Sequence, residues 1–369
     1  MKFIDLDAQM EAMRPAIDRR IKSVLDHGKF IMGPEVRELE SALTERVGVR
    51  HCLSCANGTD ALQLALMALG VGPGDLVFTT AFSFFATAEV IALQGATPVF
   101  VDIDPGTYNL CPDALEAAIL EAKGGNGRLA AIIAVDLFGL PADYPRLEAI
   151  ARRHGLALIE DAAQGFGGAI GDRQAGSFGD IATTSFFPAK PLGCAGDGGA
   201  VFTNRDDLAE RVASLRLHGR GAEKYDNVRI GMNSRLDTLQ AAILLEKLTH
   251  LDQERAAKDA IAETCRARLA GRFQMQAEPT GFASAHALFT LRAPDNSRNA
   301  LMASLEKAGI PCGIYYPRAL PDQTAFNGTA HPPCIEARKA AMEVFSIPFH
   351  AYLAEENLNL ILKKLIEAC

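Results

Sequence analysis

Lys190 stands between two prolines in Phe186-Phe187-Pro188-Ala189-Lys190-Pro191-Leu192-Gly193, and it is the side chain best suited to covalent chemistry. Proline restricts the backbone on either side, while the four-carbon stem gives the amine reach. Lysine is the residue that condenses with a carbonyl. A lysine alone is more often a surface charge, so the reading depends on what accompanies it.

Three other segments make sense around one phosphorylated aromatic group. In Leu158-Ile159-Glu160-Asp161-Ala162-Ala163-Gln164 an apolar strand runs out into two acids and a glutamine. Parallel sheets place ligands at strand carboxyl ends, where a carboxylate can pair with a protonated ring nitrogen. In Ala56-Asn57-Gly58-Thr59-Asp60-Ala61, Gly58 permits close backbone approach, and Thr59 offers a hydroxyl where a helix N-terminus favours an anion. Ser185 could add a second hydroxyl. In Gly231-Met232-Asn233-Ser234-Arg235-Leu236-Asp237, Asn233 and Arg235 precede a long helix and could bind anions in their own subunit or a neighbouring one. Each segment also has a plainer reading. Thr59 could simply cap its helix, Asp161 could be a solvated loop acid, and Asn233 or Ser234 could cap the helix that follows. Taken together they fit pyridoxal phosphate (PLP), whose aldehyde Lys190 would engage. Gly196-Asp197-Gly198-Gly199 has no helical pattern after it and reads as a tight lead-in to a strand.

The elements that must position these residues follow from periodicity. Short apolar runs alternate with helical patterns over the first 250 or so residues, which argues for βαβ units and a parallel sheet. Strands are predicted at Cys52–Cys55, Leu76–Thr79, Pro98–Asp102, Ala131–Val135, Ala157–Glu160, Ala182–Phe186 and Ala200–Thr203, with helices over Thr59–Leu69 and Tyr144–His154. The unbroken apolar run Ala130–Val135 suits a strand covered on both faces. A long helix leads away from about Leu239 to Arg272. A strand at Ala287–Arg292 follows, then helices at Ser297–Ala308, Ile335–Phe345 and Glu355–Glu367. The expected fold is α/β, with a large domain over 1–245 and a smaller α+β domain over 246–369.

Composition narrows the class. The 369 residues carry 37 Lys and Arg against 45 Asp and Glu, a net charge of −8 with no basic stripe, so nucleic acid is not an expected partner. Met1–Asp7 has no apolar core of a signal peptide, and the most apolar stretch, Val77–Val101, is too interrupted to span a membrane. Eight scattered cysteines fit a reducing cytoplasm, and Cys52-Leu53-Ser54-Cys55 has no second pair to complete a metal site. No metal is expected.

These segments, in this order and spacing, resemble the DegT/DnrJ/EryC1/StrS family of sugar aminotransferases. The resemblance runs from Phe3-Ile4-Asp5-Leu6 through Gly33-Pro34-Glu35-Val36, Ala86-Thr87-Ala88-Glu89 and Phe100-Val101-Asp102-Ile103-Asp104 to Ser346-Ile347-Pro348. It implies a fold-type I PLP enzyme with a mixed, mostly parallel sheet between helices. It implies that Lys190 forms the Schiff base, Asp161 pairs with the pyridine nitrogen and Gln164 touches the ring or its phenolic oxygen. Gly58, Thr59 and Ser185 would hold the phosphate, with Asn233 of the partner subunit in a homodimer, and Phe84 would stack on the ring. The amino donor would be L-glutamate and the acceptor a nucleotide keto sugar. Lysine at 190, where some relatives have histidine, favours transamination over dehydration.

The segments around Lys190 and Arg235 are similar to the branch that aminates C3 of UDP-2-acetamido-2-deoxy-3-oxo-glucuronate, in which Arg235 would meet the uronate carboxylate. Lys29, Phe30, Met32, Tyr315 and Tyr316 are further candidate substrate contacts. Ala319, Pro321 and Ala195 depart from the family's usual Pro, His and Tyr and bear on substrate choice. Rivals are amination of another sugar, such as a dTDP-3-keto-6-deoxyhexose, and a PLP-binding regulator without turnover. A nicotinamide-type dehydrogenase would want Gly-x-Gly-x-x-Gly where Ala56–Ala61 stands.

Overall fold

In the computed structural model, which describes residues 1–223, 225–294, 297–328 and 331–368, apolar runs become strands and periodic stretches become helices. Helices α1 (Leu6–His27) and α2 (Pro34–Val47) precede strand β1 (His51–Cys55). Then come α3 (Gly58–Leu69), β2 (Asp75–Thr80), α4 (Ala86–Leu93), β3 (Thr97–Val101), α5 (Pro112–Ala122), β4 (Arg128–Val135), α6 (Tyr144–His154) and β5 (Ala157–Asp161). Short β6 (Ala169–Ile170) and β7 (Arg173–Gln174) lead to β8 (Ile181–Ser185), β9 (Gly199–Thr203) and α7 (Asp206–Leu215). After α8 (Thr238–Leu269) come β10 (Gln274–Met275), β11 (Phe282–Ala283), β12 (Phe289–Arg292), α9 (Arg298–Lys307), α10 (Ile335–Glu343), β13 (Val344–Ile347) and α11 (Glu355–Glu367).

The main sheet has the order β1-β9-β8-β5-β4-β2-β3. Its pairs are parallel from β8 to β3, whereas β9 runs against both β8 and β1. Successive side chains of a strand point to opposite faces, and here both faces are covered. Ile133 and Ile159 pack with Leu62, Leu66, Val90 and Val212, from α3, α4 and α7. Ile132, Ala134 and Leu158 pack instead with Leu115, Ile119, Leu147 and Ile150, from α5 and α6. That two-sided burial is why β4 carries no polar alternation.

Helix α8 serves two cores. Ala241, Leu244, Leu245 and Leu251 join the one with Val36, Leu39 and Phe186. Further along, Ala262, Cys265 and Leu269 join one built on the β10-β12-β13 sheet, with Leu301, Leu305, Ile361 and Leu365 of α9 and α11. The helix is continuous through residue 245.

Two expectations need correction. The helix predicted over Ile335–Phe345 stops at Glu343, and Val344–Ile347 is a strand antiparallel to β12, with Phe345 opposite Leu291. Burial of Val344, Phe345 and Ile347 between neighbours outweighs the local helical pattern. Thr59 does not cap α3; Asn57 does, its Oδ1 accepting from the Asp60 N–H at 2.8 Å.

Leu66 is fully buried on α3. Leu66→Ala leaves a cavity under the sheet and is expected to lower unfolding free energy by ~3 kcal/mol. Denaturant titration at fixed pH measures this.

Candidate active site

The carboxyl ends of three strands bring the candidate residues to one edge. Gly199 opposes Cys55 of β1 on one side and Ser185 of β8 on the other, and β5 borders β8, with Asp161 opposite Thr183. The Asn57–Thr59 turn, Ser185 and Asp161 therefore emerge side by side. A Cβ on Gly58 would lie 2.6 Å from the Ser185 Cβ, so only glycine lets the turn press against that serine. The N–H groups of Gly58 and Thr59 open α3 and have no acceptor among the described residues. Beside two hydroxyls, that donor set suits a phosphate.

Lys190 sits on a tightly fastened loop. Its N–H donates to the Phe187 carbonyl at 2.9 Å, and the Cys194 N–H closes the loop on Phe186 at 2.8 Å. The Nζ makes no hydrogen bond or ion pair among the described residues. Burial pushes this amine below the ordinary lysine range, against the pull of the Asp161 charge. A half-buried amine with no partner among the described residues, within reach of a carboxylate's charge, is a nucleophile in waiting. Asp161 is itself buried, which raises its carboxyl. The Ala163 N–H at 3.1 Å on Oδ1, the Lys190 charge and the Thr87 hydroxyl at 3.2 Å on Oδ2 oppose that rise. Both groups thus stay responsive to whatever is placed between them.

Gln164 is held at both ends of its amide. The Phe138 N–H donates to Oε1 at 2.7 Å, and Nε2 donates to the Tyr316 hydroxyl at 3.0 Å. Tyr316 stands 6.1 Å from the exposed Phe84 ring and 5.9 Å from Tyr315. Phe84 is therefore not a core phenylalanine. Its exposed face suits stacking on a planar ligand. Amine, carboxylate, amide, aromatic ring and phosphate-type turn together fit PLP.

The remaining candidates lie apart from this cluster. The Thr238 N–H donates to the Phe30 carbonyl at 2.9 Å, and Ile31 bridges to Asp237, so Lys29–Met32 runs beside the start of α8. Met32 packs against the core that holds Val36 and Leu236. Lys29 and Phe30 are exposed. Asn233 is exposed and bridges to Leu217, while Arg235 lines a cavity with His218, Arg220, Asn227 and Arg229 that includes neither Lys190 nor Asp161. Neither Asn233 nor Ser234 caps α8, whose cap position is Asp237. The Ser234 hydroxyl instead accepts the Ala56 N–H at 3.1 Å, tying this segment to the Asn57–Thr59 turn.

Two contributors escaped sequence reasoning. Thr87 was visible only as part of a helix, although a buried carboxylate at Asp161 calls for a donor nearby. The Phe138 N–H is a backbone group and leaves no mark in residue type.

The model of the DegT/DnrJ/EryC1/StrS aminotransferase family matches residues 11–366. The UDP-2-acetamido-2-deoxy-3-oxo-D-glucuronate aminotransferase of Pseudomonas aeruginosa is 45% identical over 371 residues, covering 98% of each chain. The crystal structure of a DegT DnrJ EryC1 StrS aminotransferase from Brucella abortus is 47% identical with a TM-score of 0.97, covering 100% of this chain and 99% of that one. The crystal structure of S. venezuelae DesV in complex with a ketimine intermediate is 35% identical with a TM-score of 0.94, covering 99% and 97%.

The Thr87 bond favours the charged form of Asp161. Thr87→Val removes it, so the carboxylate takes up its proton at higher pH. The acid limb of the activity profile is expected to move to higher pH, and Thr87→Ser to restore it. A pH–rate series on the three proteins checks this.

Proposed function

Because this chain belongs to the DegT/DnrJ/EryC1/StrS aminotransferase family, we propose that it transfers an amino group from L-glutamate to C3 of UDP-2-acetamido-2-deoxy-3-oxo-glucuronate, with Lys190 and Asp161 as its catalytic residues. It is a PLP-dependent aminotransferase. The observation that carries the residue assignment is the half-buried amine of Lys190, without a partner among the described residues and under the influence of the Asp161 charge, on the loop that follows Ser185 and its close contact with Gly58. The coenzyme, when bound, supplies an aldehyde carbon and a ring that accepts electrons.

Each residue then has a task. Gly58, Thr59 and Ser185 hold the phosphate, with Asn233 of the partner subunit. Asp161 keeps a proton on the pyridine nitrogen, and Thr87 and Ala163 keep its carboxylate ionised and aimed. Phe84 would cover one face of the ring, and Gln164 would touch the ring or its phenolic oxygen. With the coenzyme bound, Lys190 Nζ would serve as the base that takes the proton from the donor's α-carbon and then as the acid that delivers it to the coenzyme's aldehyde carbon. Glutamate would leave its amino group on the coenzyme and, with water supplying the keto oxygen, depart as 2-oxoglutarate before the keto sugar enters, so ping-pong kinetics are expected.

The similarity to the Pseudomonas aeruginosa enzyme supports the uronate substrate. Arg235 of the partner subunit would meet the uronate carboxylate, a task for which a planar guanidinium is suited. Lys29, Phe30, Met32, Tyr315 and Tyr316 would line the sugar-nucleotide path. A homodimer would cover exposed apolar side chains such as Phe30, Ile31, Phe187, Val228 and Ile230. The large and small domains would divide near residue 245. No helix among the described residues is long and apolar enough to cross a membrane. Unpaired cysteines such as Cys52 and Cys265 support a cytoplasmic setting, and the product would feed surface-polysaccharide (O-antigen) precursors.

Lys190→Ala is expected to lose both the yellow coenzyme absorbance and all turnover. A transaminating Lys190→Ala protein would defeat the assignment. For the substrate, pure enzyme with glutamate and the UDP-3-keto uronate should release 2-oxoglutarate in a coupled assay. Turnover of a dTDP-3-keto-6-deoxyhexose with none of the uronate overturns that choice.

A further inference from the structure

Beneath the site lie two buried acids that the chemistry above does not use. Asp136 follows β4, and its N–H donates to the Asp161 carbonyl at 3.1 Å. Glu160 precedes Asp161 on β5 and therefore points to the opposite face of the sheet. Both side chains are completely buried. No Lys, Arg or His bonds either carboxyl among the described residues. Glu160 accepts the N–H groups of Gly176 at 2.7 Å and Phe178 at 2.8 Å. Asp136 Oδ1 accepts the Tyr144 hydroxyl at 2.7 Å and the Ala142 N–H at 3.1 Å. Asp136 Oδ2 is buried with no donor in place, and because Glu160 is registered opposite Ala134, two residues before Asp136, the two carboxyls lie on the same face of the sheet and act on each other.

Two ionised carboxylates cannot stand together in a dry interior without a cation. One proton between them removes the second charge and satisfies the orphaned oxygen. Burial is the main cause raising both groups. The Asp136 charge raises Glu160 further, so the pair holds a proton more tightly than either carboxyl would alone. Tyr144 and Asp161 are the other titratable groups that act on Asp136.

The location gives the pair its consequence. Asp136 opens the Leu137–Gly139 turn, in which Phe138 adopts φ 61° and presents its N–H to Gln164. A Cβ on Gly165 would come within 2.2 Å of Asp136 Oδ2, so the residue after Gln164 rests directly on the pair. We propose that Asp136 and Glu160 share one buried proton and that the pair is a positioning device for Gln164 and, through it, Tyr316. The consequence at the coenzyme rests on the site reading given above; the shared proton does not.

Asp136→Asn and Asp136→Ala separate the possibilities. Asparagine keeps an acceptor for Tyr144 and Ala142 and offers Glu160 an N–H in place of the proton. The protonated-carboxyl stretch in the infrared spectrum of the wild-type protein is expected to lose one band in Asp136→Asn. An unchanged band pattern overturns the shared proton, and this arm needs no coenzyme. In the holoenzyme, Asp136→Ala should lower kcat by ~10-fold and shift the pH midpoint of the coenzyme absorbance, with Asp136→Asn returning both to near wild type. If Asp136→Ala only lowers the melting temperature, with kcat and the spectral titration unmoved, the positioning role falls. A wild-type protein that binds no PLP would instead count against the site reading.

Discussion

The site depends on holding one half-buried amine within the field of one buried carboxylate. Burial penalises the charge on each and draws their proton affinities together, while their mutual attraction resists full neutralisation. Such an arrangement is costly unless the rest of the protein fixes it. Here the fixing comes from strand ends. Asp161 is the last residue of β5, and Lys190 follows the neighbouring β8 by a short stapled loop. Neither could drift without breaking pairs of the main sheet.

Much of the surrounding order is backbone order. Gly58 against Ser185, and Gly165 against Asp136, are contacts in which a single added carbon would collide. The Phe138 and Ala163 N–H groups orient side chains that chemistry needs held still. Preorganisation of this kind keeps reacting groups in place before substrate arrives.

The sequence spoke clearly where apolar runs end abruptly in polar residues. That pattern marked the strand before Asp161, the turn at Gly58 and the loop around Lys190, and the fold brings these three together at one sheet edge. It also marked the α/β class, because β4 is too continuously apolar to have a wet face. Other features had no such signature. The β13 strand carries the strand-favouring Val344, Phe345 and Ile347 directly after a helix, and only its pairing with β12 marks where the helix gives way. Thr87 and Asp136 matter through distances to residues far along the chain. The segment carrying Asn233 and Arg235 lies away from the amine within one chain, and nothing in its residue types says how far.

Helix α8 is 32 residues long, roughly 48 Å at 1.5 Å per residue. Because its two ends are rooted in different cores, it acts as a shared beam rather than a tether. Dividing the chain at residue 245 would cut the beam and strip Leu251 from the core it shares with Val36 and Leu39, while Ala262, Cys265 and Leu269 would stay with the β10-β12-β13 core. The cost of that cut would therefore fall on the core beside α2, which would lose part of the helix that covers it.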